Sequence, residues 1–313
     1  MVKSFELGRE VAADGRFVRQ ESAFRRWVTA DGSSGFVAES GRYHLYVSLA
    51  CPWSHRAVIV RHLKGLEDAV PMSLLDPYRD ERGWAFSGGE FSDPVNGFSF
   101  LSEAYRATDP QYGIRVTVPV LWDRRARQIV NNESADIVRM FDSEFAAFAR
   151  RRVDLYPKAL RAEIDAVNGF VYDEVNNGVY KAGFARSQRA YDEAYERLFA
   201  ALDRLEERLA SSRYLVGDPP TEADWRLFPT LVRFDAVYYG HFKCNRRRLL
   251  DYPNLWGYTR DLYRQPGIAG TVAMDQIKRH YYTTHAFLNP SGIIPRGPEI
   301  DFVAPHDRAR LST

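Results

Sequence analysis

The chain is poor in cysteine and lacks long apolar runs, and these two absences narrow its class. Its 313 residues include only two cysteines, Cys51 and Cys244. Two thiols so far apart in sequence form neither a disulfide framework nor a zinc-ligand pattern, which favours a reducing compartment and no metal ion. No stretch reaches the ~18 apolar residues of a membrane span, and residues 1–41 contain no apolar run like that of a signal peptide. We therefore expect a cytoplasmic protein without a membrane partner.

An excess of positive charge is also missing. The chain has 43 Lys and Arg residues against 41 Asp and Glu residues, a formal net charge of +2. Dedicated nucleic-acid binders usually carry a strong basic excess, so we expect no nucleic-acid partner. Apolar residues, in contrast, make up 45% of the chain, with 18 Tyr, 19 Phe and 6 Trp. At this length, that content supports two domains, each with its own core.

The stretch from Tyr43 to Gly65 predicts a strand, a tight turn and a helix. Residues Tyr43–Ser48 alternate in side-chain character, as strand residues do. Pro52 suits the first turn of a helix, where its missing N–H costs nothing. Apolar residues then recur with helical spacing as far as Leu63, and Gly65 is a plausible helix end.

Cys51 lies at the predicted start of this helix. Free backbone N–H groups and the positive end of the helix dipole would lower the thiol pKa and favour the nucleophilic thiolate. A lone cysteine is more commonly buried and inert, but the strand, Cys-Pro and helix setting favours a reactive thiol. The fourth position of the motif is Ser54, so no neighbouring thiol can resolve a mixed disulfide. The resolving thiol would come from outside, and glutathione is the obvious soluble one.

Further strands are predicted downstream. Val70–Leu75 has the composition of a second strand. Arg115–Trp122 alternates like a strand, but Pro119 fits the start of a strand better than its centre, with its cis or trans state left open. The backbone at Val118 would then be free to pair with a ligand. Gln128–Val130 follows across a hairpin turn.

Two other segments suggest ligand contacts, each with a purely structural alternative. Ser134 is a good N-cap or first-turn residue of a helix whose N–H groups would bind a carboxylate, and Glu133 would pair with an ammonium group. Together they would hold the γ-glutamyl end of a ligand, or simply cap the helix. Residues 76–113 form a long loop in which Gly83–Phe86 either lines a ligand site or anchors the loop.

The order of these elements predicts the fold. Strand, helix, strand, long loop, two strands and helix is the arrangement of a thioredoxin-like α/β domain. Tyr191–Leu205 then has an amphipathic helical pattern, and Thr221 with Asp224 forms a capping-box variant, so an all-helical domain follows. The predicted division is an N-terminal extension (1–39), a thioredoxin-like glutathione-binding domain (40–149), a linker (150–164), an all-helical domain (165–288) and an irregular tail (289–313).

Several short segments narrow the kind of protein further. They are Cys51–Arg56, Gly83–Phe86, Asn177–Ala185, Arg233–Tyr238, His241–Cys244 and Ile277–Tyr282. Together with Val118–Pro119 and Glu133–Ser134, this ordered set resembles a glutathione transferase over roughly residues 40–290. More closely, it resembles the Xi class, the glutathionyl-hydroquinone reductases. One departure is Ser54, where family members often have Ala, and both residues are small.

The resemblance implies an activity and a set of site residues. The family reduces S-glutathionyl hydroquinones to hydroquinones, with glutathione as co-substrate and no metal. By position, Cys51 would be the nucleophile, Tyr180 a proton donor and acceptor, and Tyr238 and Tyr281 residues that lower the thiol pKa. Glutathione contacts would come from Trp84, Arg115, Val116, Thr117, Val118, Glu133 and Ser134. Family members form homodimers, largely through the helical domain.

Other interpretations stay open at this point. An Omega-like thiol transferase acting on dehydroascorbate or protein mixed disulfides would share the Cys-Pro helix. A non-catalytic carrier of aromatic ligands would share the fold without needing a reactive thiol. Each tyrosine has the alternative of being a core or interface residue. Cys244 is interpreted as a buried, unreactive thiol, and the basic run at Lys243 and Arg246–Arg248 as solvated surface.

Overall fold

A computed structural model describes residues 10–312, which form two compact units. The first unit consists of Gln20–Asp154 and Thr271–Phe287. The second consists of residues 10–19, 155–270 and 288–312. Within the described residues, the strands lie in the first unit and the second unit is helical. No helix within residues 10–312 is long and apolar enough to cross a membrane.

The first unit is built on a four-stranded mixed sheet in the order β2-β1-β5-β6. Its strands are β1 (Tyr43–Val47), β2 (Met72–Leu74), β5 (Val120–Asp123) and β6 (Gln128–Asn131), and a separate hairpin pairs β3 (Arg79–Asp80) with β4 (Gly83–Trp84). Strand β1 is parallel to β2 and antiparallel to β5, which pairs with β6 across a tight turn. The helices are α1 (Pro52–Lys64), α2 (Leu101–Thr108), α3 (Ser134–Ser143) and α9 (Met274–Thr284).

The structure confirms the predicted strand and helix around Cys51. Helix α1 runs from Pro52 to Lys64 and ends at Gly65, whose φ of 66° is the left-handed conformation that glycine adopts without strain. All of β1 is buried, although polar and apolar side chains alternate along it. One ring nitrogen of His44 has a partner there, with Nε2 and the Oγ of Ser73 2.8 Å apart. Burial lowers the pKa of His44 to about 4, so this histidine is neutral inside the core.

The prediction of one long loop over residues 76–113 was wrong. The segment contains the β3–β4 hairpin and helix α2. Glu103 opens α2 by accepting hydrogen bonds from the backbone N–H groups of Ser99 (2.8 Å) and Phe100 (2.9 Å). With α2 included, the order β1-α1-β2-α2-β5-β6-α3 is that of a thioredoxin-like domain, so the predicted fold class is confirmed.

The second unit contains five helices within its described residues. They are α4 (Arg161–Phe170), α5 (Gly178–Gly183), α6 (Gln188–Ser211), α7 (Glu222–Leu231) and α8 (Pro253–Tyr263), with π-helical turns at Val171–Asn176 and Phe234–Tyr238. Helix α6 contains the amphipathic segment predicted from the sequence, and its apolar face is buried. Residues 289–312 are irregular apart from a short 3₁₀ turn at Arg308–Leu311.

Helix α9 packs in the first unit, whereas the sequence pattern predicted that residues 165–288 form one helical domain. Its contacts explain the difference. His280 Nδ1 lies 2.6 Å from the carbonyl oxygen of Pro77, and the backbone N–H of Arg79 donates to Thr284 Oγ1 at 3.2 Å. The helix therefore returns to the β3–β4 hairpin, and the proposed domain limits stay a prediction.

Asp224 is the buried third residue of α7 and completes the capping box with the N-cap residue Thr221, as the motif predicted. Its carboxylate accepts hydrogen bonds from the N–H groups of Leu215 and Thr221 (both 2.8 Å). It also accepts from the hydroxyls of Thr221 (3.3 Å) and Tyr258 (2.7 Å). Desolvation raises the pKa of Asp224 to about 6, above its ordinary value of ~3.9.

We expect Asp224→Asn to destabilise the protein by about 2 kcal/mol at neutral pH, because one amide oxygen cannot serve all these donors. The raised pKa means that protonation of Asp224 stabilises the folded state below pH ~4, and that this gain is lost as the pH rises through 6. The loss caused by asparagine, which does not titrate, should thus be about 1 kcal/mol larger at pH 5 than at pH 8. Urea unfolding of both proteins at the two pH values measures this, and an equal difference at both would contradict the raised pKa.

Candidate functional site

Cys51 is the N-cap residue of α1, and its backbone is extended (φ −79°, ψ 124°). Its N–H donates to the carbonyl of Ser48 at 3.0 Å, and its own carbonyl accepts from His55 at 3.0 Å. The thiol is 8% exposed, and Sγ lies 3.7 Å from the carbonyl oxygen of Val118. No acidic residue lies in the first turn of α1. The sulfur therefore lies at the positive end of a helix dipole that no nearby carboxylate on the helix opposes.

Three of the predicted site residues of the first unit share one core. Cys51, Trp84, Phe86 and Val118 belong to a single cluster of buried residues. The peptide bond between Val118 and Pro119 is cis, and β5 begins directly after it. The structure thus brings together the thiol, the Trp84 segment and the segment before β5, which lie far apart in the sequence.

A hydrogen-bond network positions the segment before β5. The Tyr105 hydroxyl donates to the carbonyl of Thr117 (2.8 Å) and accepts from its N–H (3.2 Å). Asn132 Nδ2 donates to the Tyr105 hydroxyl (3.0 Å) and to Thr117 Oγ1 (3.1 Å). Both backbone groups of Thr117 are therefore committed to the protein. Within the described part of the chain, the N–H of Val118 has no such partner, so Val118 can offer a backbone group to a ligand.

Gln20 was not identified from the sequence. Its side-chain amide pairs with the backbone of Arg115 in both directions, accepting from the N–H and donating to the carbonyl, each at 3.1 Å. The Tyr112 hydroxyl also donates to that carbonyl, at 2.9 Å. A side-chain contact between residues so distant in sequence leaves no local signal, so only the folded structure shows that the N-terminal segment supports Arg115.

Glu133 and Ser134 form the start of α3. Ser134 is its first residue, and Glu133 is the cap, with Oε1 accepting from the N–H of Ala135 at 3.1 Å. Ser22 Oγ donates to Oε2 of the same carboxylate at 2.9 Å. Both interpretations of this pair remain compatible with the structure, since a capping carboxylate at a helix N-terminus can also meet an ammonium group.

Trp84 is 3% exposed and lies opposite Arg79 in the β3–β4 hairpin. The Arg79 guanidinium lies 5.2 Å from the centre of the Trp84 ring. The His280 ring stacks on the same side chain, with centres 4.9 Å apart and planes inclined by 17°. Among residues 10–312, the buried indole nitrogen Nε1 has no hydrogen-bond partner. A buried donor of this kind is normally satisfied. In the same described part of the chain, the buried Nε1 atoms of Trp122 and Trp225 also lack a partner, so this feature alone does not mark a ligand contact.

The three predicted tyrosines divide between the units. Tyr281, on α9, belongs to the first unit and is 1% exposed, with its ring packed edge-on against His280 and His285. Tyr180 and Tyr238 belong to the second unit, with ring centres 6.0 Å apart. All three are buried, and the structure by itself assigns them no role.

An aromatic cluster holds Tyr180 within the second unit. Its ring packs against Phe184 (5.6 Å) and Phe242 (5.3 Å), and the Arg19 guanidinium lies 4.7 Å from the ring centre. A Cβ atom on Gly183 would lie 2.2 Å from Phe242 Cγ. Only glycine fits at that position, so the small residue in this motif serves close packing behind Tyr180.

Cys244 is buried, as predicted. It is fully buried, and burial raises the pKa of its thiol far above the ordinary value. Its Sγ lies 3.8 Å from the carbonyl oxygen of Phe242. No group of three or more His, Cys, Asp or Glu side chains in the described chain is placed to hold a metal ion. The reactive features of the structure therefore concentrate around Cys51.

Known proteins match this chain in both of its units. Family models of the glutathione S-transferase N-terminal and C-terminal domains match residues 50–144 and 188–261. Over 303 residues, the chain is 53% identical to the glutathionyl-hydroquinone reductase YqjG of Escherichia coli (strain K12), covering 94% of this chain and 92% of that protein. It is 49% identical over 289 residues to the glutathionyl-hydroquinone reductase PcpF of Sphingobium chlorophenolicum, covering 92% and 91%. The glutathione-bound structure of YqjG from Escherichia coli K-12 matches with a TM-score of 0.90 and 53% identity, over 92% of this chain and 96% of that one.

Proposed function

This chain belongs to the glutathionyl-hydroquinone reductases, the Xi class of glutathione S-transferases, and we propose that it reduces S-glutathionyl hydroquinones to hydroquinones with a second glutathione. The family resemblance predicted from the sequence motifs is confirmed by these relatives. The observation that carries the proposal is the placement of Cys51 at the α1 N-terminus, in one buried cluster with Trp84 and Val118. The net reaction converts the thioether and one glutathione into hydroquinone and oxidised glutathione.

Cys51 is the nucleophile of this reaction. Its thiolate attacks the sulfur of the aryl thioether, so that a Cys51–glutathione disulfide forms and the carbon–sulfur bond breaks. The bonding electrons pass to the ring, whose carbon takes up a proton. A second glutathione thiolate then attacks the mixed disulfide, which releases oxidised glutathione and regenerates the Cys51 thiolate. A soft sulfur nucleophile suits attack on sulfur better than an activated water does.

The proposed glutathione site is formed by residues of the first unit. The free N–H of Val118 pairs with the tripeptide backbone, and Trp84 Nε1 donates to it. The Glu133 carboxylate and the N–H groups at the start of α3, including Ser134, hold the charged γ-glutamyl end. Arg115 and Val116 complete the predicted contacts. Thr117 acts by holding this segment in place, because its backbone is bonded to Tyr105.

The tyrosines supply and orient protons in this proposal. Tyr180 transfers the proton to the aromatic ring of the substrate. Tyr238 and Tyr281 donate hydrogen bonds that stabilise the thiolate. Burial is compatible with these roles, since a buried hydroxyl donates more effectively away from competing water.

Two further parts of the proposal concern the state of the protein. The homodimer through the helical domain is implied by the family resemblance. The cytoplasmic location is proposed from the composition, because the free thiols fit a reducing compartment. Size-exclusion chromatography with light scattering measures the oligomeric state. A monomer across micromolar concentrations would contradict the dimer without affecting the proposed chemistry.

The direct test is turnover of glutathionyl-hydroquinone with excess glutathione. We expect hydroquinone and oxidised glutathione to form in equal amounts. Chromatography measures the hydroquinone, and a coupled reductase assay measures the oxidised glutathione. Dehydroascorbate, offered as the competing substrate, should be reduced much more slowly. Faster turnover of dehydroascorbate would favour an Omega-like thiol transferase, and tight binding of the quinol without turnover would favour a ligand carrier.

A further inference from the structure

Helix α9 contacts the hairpin that carries Trp84 through Thr284, which binds the backbone of Arg79, and through His280, which contacts Trp84 itself. The imidazole stacks on the indole at 4.9 Å with planes inclined by 17°. Its Nδ1 lies 2.6 Å from the carbonyl oxygen of Pro77, and 3.3 Å from Thr284 Oγ1. A carbonyl oxygen only accepts, so Nδ1 carries a proton, which fixes how the ring is turned about its axis. His280 is buried, so the stack excludes water.

The environment of Trp84 explains why this stack matters. Arg79, its cross-strand partner, contacts the indole through the guanidinium. The two-residue strands of the hairpin are too short to hold a large side chain rigidly by themselves. The stacked imidazole and the guanidinium supply that support, and they leave the buried Nε1 as the one polar atom of the indole, without a protein acceptor among residues 10–312.

We propose that His280 is a positioning residue for glutathione binding, which holds the Trp84 indole so that its N–H points to the tripeptide. The inference rests on the proposed role of Trp84 in contacting glutathione. His280 touches neither the substrate nor Cys51. Its ring contacts the Trp84 indole and, edge-on, the ring of Tyr281. Its loss should therefore raise KM for glutathione more than it lowers kcat, because Trp84 is the proposed glutathione contact and Cys51 and Tyr180 are untouched.

A double-mutant cycle with Trp84 provides the test. Glutathione affinity is measured by titration calorimetry for wild type, His280→Ala, Trp84→Ala and the double variant. We expect His280→Ala to weaken binding about tenfold in the wild-type background, and to have almost no further effect once Trp84 is alanine. Additive losses would overturn the inference, since they would show that His280 acts by another route. If Trp84→Ala leaves the affinity unchanged, the inference and the Trp84 contact both fail, while turnover by Cys51 still tests the proposed reaction.

Two conservative variants separate the stack from the hydrogen bond and guard against misfolding. His280→Phe keeps a flat ring without the bond to Pro77, and should bind glutathione within about threefold of wild type. His280→Asn keeps a donor for that carbonyl without the ring, and should resemble alanine. Thr283→Ala, about one turn further along α9, is the matched control, and this variant should bind glutathione normally. Equal weakening by phenylalanine and asparagine, in step with their melting temperatures, would show a merely structural role.

Discussion

Replacing Cys51 with serine is expected to reduce turnover of glutathionyl-hydroquinone by roughly a thousandfold or more, in a protein that remains fully folded. The loss follows from chemistry, since a serine hydroxyl is a far weaker nucleophile towards sulfur than a thiolate. It also cannot form the mixed disulfide with glutathione on which the second step depends.

The stability of Cys51→Ser should not fall with its activity, so loss of the nucleophile can be separated from loss of the fold. Cys51 is the N-cap of α1 and makes no side-chain capping bond. Serine is among the best N-cap residues, so Cys51→Ser should melt at the same temperature as wild type or slightly above it. Thermal unfolding and steady-state kinetics on the same preparation measure both quantities. Cys51→Ala should lose as much activity as Cys51→Ser, but it should gain no capping hydrogen bond and no stability.

Cys244→Ala is the matched control, because this thiol is buried and its raised pKa keeps it protonated. We expect full turnover and, after incubation with substrate but little free glutathione, a glutathione adduct by intact-mass spectrometry. The adduct should be absent from the Cys51 variants. Turnover that survives in both Cys51→Ser and Cys51→Ala would exclude a covalent role for this residue.

Local signals in the sequence were sufficient for β1, α1 and the cap of α7. Each depends on neighbours in the chain: Pro52 and Gly65 set the ends of α1, and Thr221 with Asp224 sets the start of α7. Helix α2 was missed because its N-cap is Phe100, a residue that carries no capping signal, and because it is only eight residues long. Its surroundings are rich in glycine and proline, which hid the short periodic segment.

The element that packs against α9 could not be predicted, for a different reason. A helical pattern shows which face of a helix is apolar, but not which other element covers it. His280 and Thr284 contact Pro77 and Arg79, about two hundred positions earlier in the chain. The same holds for the support of Arg115 by Gln20. Such contacts depend on tertiary packing, and no single-sequence pattern encodes them.

The site was predictable only in part from the residues themselves. Cys51 stood out through its position before a proline-initiated helix. The tyrosines did not, since the chain has 18 of them, and burial does not distinguish Tyr238 or Tyr281 from structural tyrosines such as Tyr43 and Tyr258, which are equally buried. Those assignments came from family resemblance, and mutation has to test them.

Tyr180→Phe is the variant that tests the proton donor most directly. It removes one oxygen atom and keeps the ring, so the contacts with Phe184 and Phe242 survive. We expect kcat to fall about a hundredfold, the lower range for loss of a general acid or base. Glutathione affinity and melting temperature should change little, because the proposed glutathione contacts lie in the first unit. Steady-state kinetics with both substrates measures the fall in kcat, and calorimetric titration of glutathione measures the affinity.

The pattern across variants decides what the hydroxyl does. Tyr172→Phe, a partly exposed tyrosine in the same unit, is the control and should keep normal turnover. If Tyr180 donates the proton to the ring, the first half of the reaction slows while resolution of the mixed disulfide does not. The Cys51–glutathione adduct then fails to accumulate in single-turnover mixtures. If the adduct instead accumulates and persists, the hydroxyl serves the second step, and proton transfer to the ring has another source. Unchanged kcat in a folded variant would remove Tyr180 from the chemistry and leave it as a packing residue, held by the cation of Arg19.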